Sequence, residues 1–255
     1  MPRAAAPDAM IATLRHPWPV RLWHWVNAVG ITLSLLTGCW IFNVHPRLYW
    51  GEDGHAGMPA VLSLEAVDAA AKPPRFELQV GGSRWDVTPL MGVIDVEGSD
   101  QYTLVGAYPK DYQFGASRTW HFLAAWMLVG GWLTYGLYLI GSGRLRRMWW
   151  PGGGGARAAS YNVVQQLAYL ALFALLIPTL ILSGLTLSNS VTAAHPELFA
   201  LWGGRQSART VHFGAAATLA FFVAVHLYRV LVCGFFPLMR SMVTGRRPAA
   251  GGEGT

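Results

Sequence analysis

Four long apolar segments constrain what this chain can fold into more than any other feature of its sequence. They span residues 22–44, 119–140, 163–187 and 210–233, and none of them contains an acidic residue. About 20 apolar residues form a helix long enough to cross the ~30 Å hydrocarbon core of a bilayer. Only 13% of the 255 residues are charged, roughly half the share in a soluble domain. The sequence therefore predicts an all-α integral membrane protein with a bundle of four transmembrane helices, the third kinked at Pro178.

The connections between these predicted helices differ in character. Residues 45–118 form a long loop with ten acidic residues, in which "FELQVGGSRWDV" alternates around Gly-Gly and predicts a small β-hairpin cap. Residues 141–162 are basic and rich in glycine, 188–209 form a shorter connection, and 234–255 form a tail. Residues 1–21 lack the apolar core of a signal peptide, so we expect the first helix to be an uncleaved insertion signal.

The distribution of arginine predicts the orientation in the membrane. The N-terminus, the 141–162 connection and the tail share one side, which carries eleven arginines and two acidic residues. The positive-inside rule makes this side cytoplasmic and places the 45–118 loop in the periplasm of a bacterial inner membrane. A nucleic-acid partner is not predicted, because the basic residues lie beside apolar segments. The arginines are Arg3, Arg15, Arg21, Arg144, Arg146, Arg147, Arg157, Arg229, Arg240, Arg246 and Arg247, and the acidic residues are Asp8 and Glu253.

Two histidines interrupt the fourth apolar segment, 14 residues apart. At ~100° and ~1.5 Å per residue they lie within about 40° of each other on one helix face and ~21 Å apart along the axis. They cannot bind the same small metal ion, so each needs a partner from another helix. Depth in the bundle pairs His24 with His226 near the cytoplasmic surface, and His121 with His212 near the periplasmic surface.

Each predicted pair is suited to hold a flat macrocycle, because haem iron accepts an imidazole on each face. The two pairs predict two haem b groups, held without the CxxCH motif of covalent attachment. Hydrogen bonding between helices is the alternative for a single membrane histidine, but four histidines at matched depths favour ligation of haem iron. The remaining histidines, which lie outside the spans and are expected to be solvated or interfacial, are His16, His45, His55 and His195.

An arginine lies three residues from each of these four histidines, on the side nearer the membrane surface. Residues at i and i+3 share a helix face, and arginine pairs well with carboxylates, so these arginines are predicted to bind the haem propionates. Snorkelling at the helix ends is the alternative. It explains Arg118 and Arg209 less well than the others, because these two lie on the side expected to be poor in arginine. The four are Arg21, Arg118, Arg209 and Arg229.

Several motifs resemble a known family: "RLWHWVNAVGITLSLLTG", "RTWHF", "YNVVQQLAYLALFALLIPTLILSGL" and "RTVHFGAAATLAFFVAVHLY". The chain resembles the di-haem, four-helix cytochrome b subunits of the cytochrome b561-type and nickel–iron hydrogenase superfamily, to which the membrane subunit of formate dehydrogenase is related. "HPRLYWGEDG" and "YPKDYQFGASRTWHF" make it most similar to the thiosulfate-reductase-type subunits. The resemblance implies the same two ligand pairs, although the 45–118 loop is longer than in the simplest relatives.

The resemblance also implies a quinone site at the start of the third helix. An Asn-x-x-Gln motif of the family matches Asn162 and Gln165 in "YNVVQQ". An amide can donate a hydrogen bond to a quinone carbonyl. Capping of the helix, which asparagine does well, is the alternative role for Asn162, and the two roles are compatible.

The predicted function is electron transfer between membrane quinone and a periplasmic redox partner through two haems. The resemblance implies a molybdopterin oxidoreductase, a hydrogenase or an iron–sulfur protein as this partner, and an oligomer is compatible with the sequence. One alternative is a stand-alone di-haem quinone oxidoreductase that acts on a small molecule such as superoxide. Another is a haem-free transporter of metal ions or protons, which the lack of acidic residues in the four spans disfavours.

Overall fold

The computed structural model describes residues 16–55, 57–68, 71, 74–96, 99–104, 114–143 and 163–245. Four helices in these ranges are long and apolar enough to cross a membrane, so the predicted all-α membrane bundle is confirmed. The first two are α1 (Trp18–Val44) and α2 (Phe114–Gly141). The third, α3, consists of Val163–Ala171, a π turn at Leu172–Leu176 and Ile177–Leu187. Two short helices, α4 (Asn189–Ala194) and α5 (Leu198–Trp202), precede the fourth long helix, α6 (Arg205–Val232), and α7 (Phe235–Thr244) follows it.

Proline and glycine set the ends of the two helices that carry His24, His212 and His226. Pro17 precedes the first residue of α1, where a missing N–H costs nothing, and α1 ends just before His45-Pro46. Gly203 and Gly204 precede α6 with φ of 69° and 121°, which residues with a side chain rarely adopt. These ends make α1 and α6 longer than the apolar segments predicted from the sequence.

The long helices pack as two pairs, α1 against α2 and α3 against α6. In the described part of the chain, α6 makes few close backbone contacts with α1 or α2. The bundle therefore has two tightly packed halves that face each other across a looser seam. The end of the bundle that carries the 45–113 connection is called the loop side below, and the opposite end, near residues 16–18 and 245, the terminus side.

Pro178 lies just after the π turn of α3, where the sequence predicts a kink. The N–H of Ile177 donates to the carbonyl of Leu172, five residues earlier. The next bond of this pattern would join residue 178 to the carbonyl of Phe173, but proline has no N–H to donate. The indole Nε1–H of Trp132 on α2 donates to that carbonyl instead, at 3.0 Å. A polar bond thus joins the two halves where proline interrupts the α3 ladder.

The connection between α1 and α2 contains more sheet than the sequence predicted. Four antiparallel strands lie in the order β1 (Arg47–Leu48), β2 (Leu62–Asp68), β3 (Arg75–Val80) and β4 (Ser83–Asp86). A second sheet pairs β5 (Met91–Val96) with β6 (Ser99–Leu104). The predicted hairpin is confirmed as β3 and β4, which turn at Gly81 and Gly82.

Residues 45–51, here named the strap, join α1 to the sheet and lie on the first turns of α6. The backbone N–H groups of Gln206 and Ser207 donate to the carbonyl of Gly51 at 3.0 and 3.2 Å. The Ser207 hydroxyl accepts from the Gly51 N–H at 2.7 Å, and the Thr210 hydroxyl donates to the carbonyl of Tyr49 at 2.6 Å. The strap therefore satisfies N–H groups that the start of a helix leaves without partners.

Candidate functional site

The structure brings the four intramembrane histidines together as two facing pairs. The ring centroids of His24 on α1 and His226 on α6 are 6.3 Å apart, with an interplanar angle of 56°. Those of His121 on α2 and His212 on α6 are 6.2 Å apart, at 72°. These are the pairs that depth in the bundle predicts. We call them the terminus-side pair and the loop-side pair, and both span the seam between the two packed halves.

The spacing within each pair fits two axial ligands of one metal centre. An imidazole nitrogen lies ~2 Å from a transition-metal ion, so rings on opposite sides of that ion have centroids about 6 Å apart. No cluster of three or more histidine, cysteine, aspartate or glutamate side chains occurs in the described ranges. The pairs therefore lack the ligand number of a structural zinc site, while two imidazoles suit haem iron, whose other four ligands come from the macrocycle.

In the loop-side pair, each histidine is hydrogen-bonded to a buried hydroxyl from the neighbouring helix of its own half. His121 Nδ1 lies 3.0 Å from Thr37 Oγ1 on α1, and His212 Nδ1 lies 3.0 Å from Ser183 Oγ on α3. Thr37 is 2% exposed and Ser183 is fully buried. The two halves thus present the same arrangement to the seam, an imidazole held from behind by a hydroxyl.

A glycine follows each of these hydroxyl residues and lets the imidazole approach the helix backbone. A Cβ atom on Gly38 would lie 3.5 Å from Cε1 of His121. A Cβ atom on Gly184 would lie 3.2 Å from Cε1 of His212, which is tighter than ordinary contact. Any larger residue at position 184 would therefore press on the ring of His212.

The terminus-side pair has different surroundings. Nδ1 of His24 is buried and has no hydrogen-bond partner. The ring of His226 is stacked on Phe222, with centroids 6.4 Å apart and planes within 8°. The Nε atom of Arg21, one turn before His24, is also buried without a partner. A buried donor left unpaired is costly, and a carboxylate between the helices, such as a haem propionate, would satisfy it.

The four predicted propionate arginines are placed differently from one another. Arg209 donates to the carbonyls of Arg47 and His45 in the strap, at 2.9 and 2.5 Å. The guanidinium of Arg118 lies 5.7 Å from the ring centroid of Phe122, within the range of a cation–π contact. Arg229 is exposed in the last turn of α6. Arg21 thus has a buried Nε donor without a partner, whereas two N–H groups of Arg209 donate to the strap.

The predicted quinone residues lie at the edge of the described part of the chain. Asn162 lies outside it. Gln165 is in the first turn of α3, which begins at Val163. This turn is on the terminus side, the same side as His24 and His226. The quinone assignment stays a prediction.

Sequence reasoning missed Thr37 and Ser183. It gave the third helix only the quinone residues at its start and no contact with the histidine pairs, because that helix contains no histidine. A signal was present in the dipeptides Thr37-Gly38 and Ser183-Gly184, a hydroxyl residue followed by glycine in each of two apolar helices. Neither dipeptide is informative until the rotation of each helix is known.

Comparison with known proteins adds family evidence to this geometry. The family model described as prokaryotic cytochrome b561 matches residues 15–245. YedZ1 of Azospira oryzae, named as a subunit of a protein-methionine-sulfoxide reductase, is 36% identical over 132 residues, which is 46% of this chain and 65% of that protein. This chain thus spans somewhat less than two thirds of the length of that relative. No solved structure matches the chain.

Proposed function

Because the chain belongs to the prokaryotic cytochrome b561 family, a family of membrane haem proteins, we propose that it transfers electrons through two haem b groups. We propose that His24 and His226 would hold one haem through its iron, and that His121 and His212 would hold the other. The two facing imidazole pairs, with centroids 6.3 and 6.2 Å apart, are the observation that carries this proposal. The bound haems supply the one-electron chemistry.

The protein's own contribution is to place the two sites at different depths in one bundle. α6 supplies one ligand to each site, and the offset of 14 positions from His212 to His226 separates them by ~21 Å along the axis. α1 and α2 supply the opposite ligands, so each site draws on both halves of the bundle. All four histidines lie within helices apolar enough to span a membrane, where the bilayer would limit the access of water to both sites.

The proposed orientation places the loop side in the periplasm and both termini in the cytoplasm of the inner membrane. On the terminus side, Asn162 and Gln165 would donate hydrogen bonds to a quinone carbonyl. On the loop side, the sheets and the strap would dock a periplasmic redox enzyme or iron–sulfur subunit. The name of YedZ1 makes a reductase of oxidised methionine one candidate partner. With such a partner, electrons would run from quinol on the terminus side to the loop side.

A haem count in matched variants tests the ligand assignment. The purified chain should give two b haems in a pyridine haemochrome assay. His212→Ala and His121→Ala should each remove the same haem, and His226→Ala and His24→Ala should each remove the other. His195→Ala is the control, because this exposed residue contacts Glu197 in the connection before α6. A wild-type chain with one haem, or two variants of one pair that remove different haems, would refute the pairing.

Two further measurements test the direction and the partner. Reduction of the haems by quinol should slow in Asn162→Ala and Gln165→Ala, while their reduction by dithionite stays unchanged. A phosphatase fused after residue 245 should be inactive, because it requires export and the tail is proposed to be cytoplasmic. Turnover of a small substrate by the purified chain alone would instead favour a stand-alone oxidoreductase over a subunit.

A further inference from the structure

The buried hydroxyls behind the loop-side pair determine which nitrogen of each histidine carries the proton. The Thr37 hydroxyl lies 2.6 Å from the carbonyl of Leu33, and the Ser183 hydroxyl lies 2.6 Å from the carbonyl of Thr179. A carbonyl can only accept, and a hydroxyl has one proton, so each hydroxyl donates to its carbonyl. The hydroxyl oxygen is then left to accept from the Nδ1–H of the histidine.

A second carbonyl near each hydroxyl supports the same assignment. The Thr37 hydroxyl lies 3.4 Å from the carbonyl of Ser34, and the Ser183 hydroxyl lies 3.3 Å from that of Leu180. Each hydroxyl thus faces two acceptors of its own helix, so its proton is directed away from the histidine. With the proton on Nδ1, the lone pair of each ring is on Nε2 and is free to bind a metal.

We propose that Thr37 and Ser183 are positioning residues for the loop-side haem, one on each face. Their hydroxyl oxygens accept a hydrogen bond from the Nδ1–H of His121 and of His212, which keeps each ring in the Nδ1–H tautomer. The same hydrogen bond would increase electron donation from each ring to the iron. This inference rests on the proposed haem function of the two histidine pairs. The terminus-side pair lacks the arrangement, because Nδ1 of His24 has no partner.

The expected consequence is a difference in redox potential between the two sites. A more basic imidazole favours ferric over ferrous iron, and hydrogen bonds behind the ligand are one of the means by which a protein tunes haem. Removing either hydroxyl should therefore raise the midpoint potential of the loop-side haem and leave the other haem unchanged. Each tenfold change in the relative affinity for the two iron states shifts a one-electron potential by about 59 mV.

The test is a potentiometric titration of the purified full-length chain, followed in the reduced haem absorption band. The variants are Thr37→Val and Ser183→Ala, singly and together, with Thr37→Ser and Ser183→Thr as conservative replacements that keep a hydroxyl. His121→Ala, which should remove the loop-side haem, identifies which of the two titrating components belongs to it.

Two other hydroxyls serve as controls for the loss of a hydroxyl from a helix. Thr32→Val removes the same type of bond to a carbonyl four residues earlier in α1, at a hydroxyl that is exposed and bonded to the carbonyl of Ala28. Thr186→Val removes a fully buried hydroxyl of α3 that binds Trp202 instead of a histidine, at 3.0 Å. A drop in stability alone would appear in the Thr186 variant as well, but a shift of one haem potential should not.

We expect one component to move to higher potential in Thr37→Val and in Ser183→Ala, to move further in the double variant, and to return in the conservative replacements. If the variants lose the loop-side haem, recovery of the haem in Thr37→Ser and Ser183→Thr supports the same role. Unchanged potentials, or equal shifts of both haems, would overturn the inference. A wild-type chain without two haems would instead overturn the proposed function on which the inference rests.

Discussion

The hydrogen bond from Trp132 to the carbonyl of Phe173 should matter only because position 178 is proline. Replacing Trp132 by Phe removes the donor and leaves the carbonyl unpaired beside the π turn. Replacing Pro178 by Ala restores an N–H to α3, which allows the helix ladder itself to satisfy that carbonyl. The Trp132→Phe change should therefore cost less in the Pro178→Ala background than in the wild type.

The size of this difference can be estimated from the bond. A neutral hydrogen bond contributes about 1 kcal/mol to stability, and leaving its acceptor buried and unpaired costs ~1–3 kcal/mol. Hydrogen bonds between membrane helices average about 0.6 kcal/mol and reach roughly 1.7 kcal/mol in double-mutant cycles. Trp132→Phe also changes the ring contact with Phe173, whose centroid is 5.5 Å from that of Trp132. This change occurs with proline and with alanine at position 178, so its energy cancels in the coupling energy. We expect a coupling energy of about 1 kcal/mol.

The assay is the free energy of unfolding in mixed micelles, measured by titration with a denaturing detergent and followed by circular dichroism. The four proteins of the cycle are compared with Trp126→Phe, because Trp126 lies on the same helix and is 60% exposed. That control should change stability little. An equal cost of Trp132→Phe in both Pro178 backgrounds would refute the explanation of why the indole is needed.

Three further predictions concern the loop side. Gly204→Ala should destabilise the protein by about 3 kcal/mol or more, because Gly204 has a φ of +121° and a Cβ atom there would meet the backbone of Gly51. Gly214 in α6 has open space around it, so Gly214→Ala should stabilise the protein slightly in the same unfolding assay. Arg209→Met should make the strap more sensitive to protease, because the Arg209 guanidinium donates to strap carbonyls. The haem count should stay the same. Loss of the loop-side haem would instead indicate that Arg209 contacts a propionate. Burial and the nearby arginines lower the pKa of His45 in the folded protein, so the unfolded chain binds a proton at a higher pH than the folded protein does. The free energy of unfolding should therefore fall as the pH drops through about 6.5. His45→Gln should reduce that pH dependence.

The helices and the facing histidines could be predicted from the sequence because they depend on simple periodicities. An apolar run of ~20 residues specifies a membrane helix, and the fixed rise of that helix specifies the depth of each histidine. Depth and chain direction then suffice to place His24 near His226 and His121 near His212. The assignment of these residues as haem ligands still awaits the haem count.

The rest of the site depends on contacts that have no periodic signal. Thr37 can reach His121 only when α1 and α2 have a particular rotation about their axes, which the near-uniform apolarity of both helices does not specify. The strap joins Gly51 to the start of α6, 154 positions further along the chain, and the local sign of the contact in the sequence is Gly203-Gly204. The carbonyl of Phe173 in the π turn accepts its bond from Trp132, a residue of another helix.

The looser seam between the two packed halves has a consequence for how the protein is made. α1 with α2, and α3 with α6, can each assemble as soon as both helices have entered the membrane. The halves then meet through the strap, the bond from Trp132 to Phe173 and side chains that include both histidine pairs, so bound haem would add a further link between one half and the other. A ligand that binds only the assembled state stabilises it in proportion to the logarithm of its free concentration. The amount of mature protein in a cell would therefore follow haem supply, and chains made during haem shortage would be open to membrane proteases.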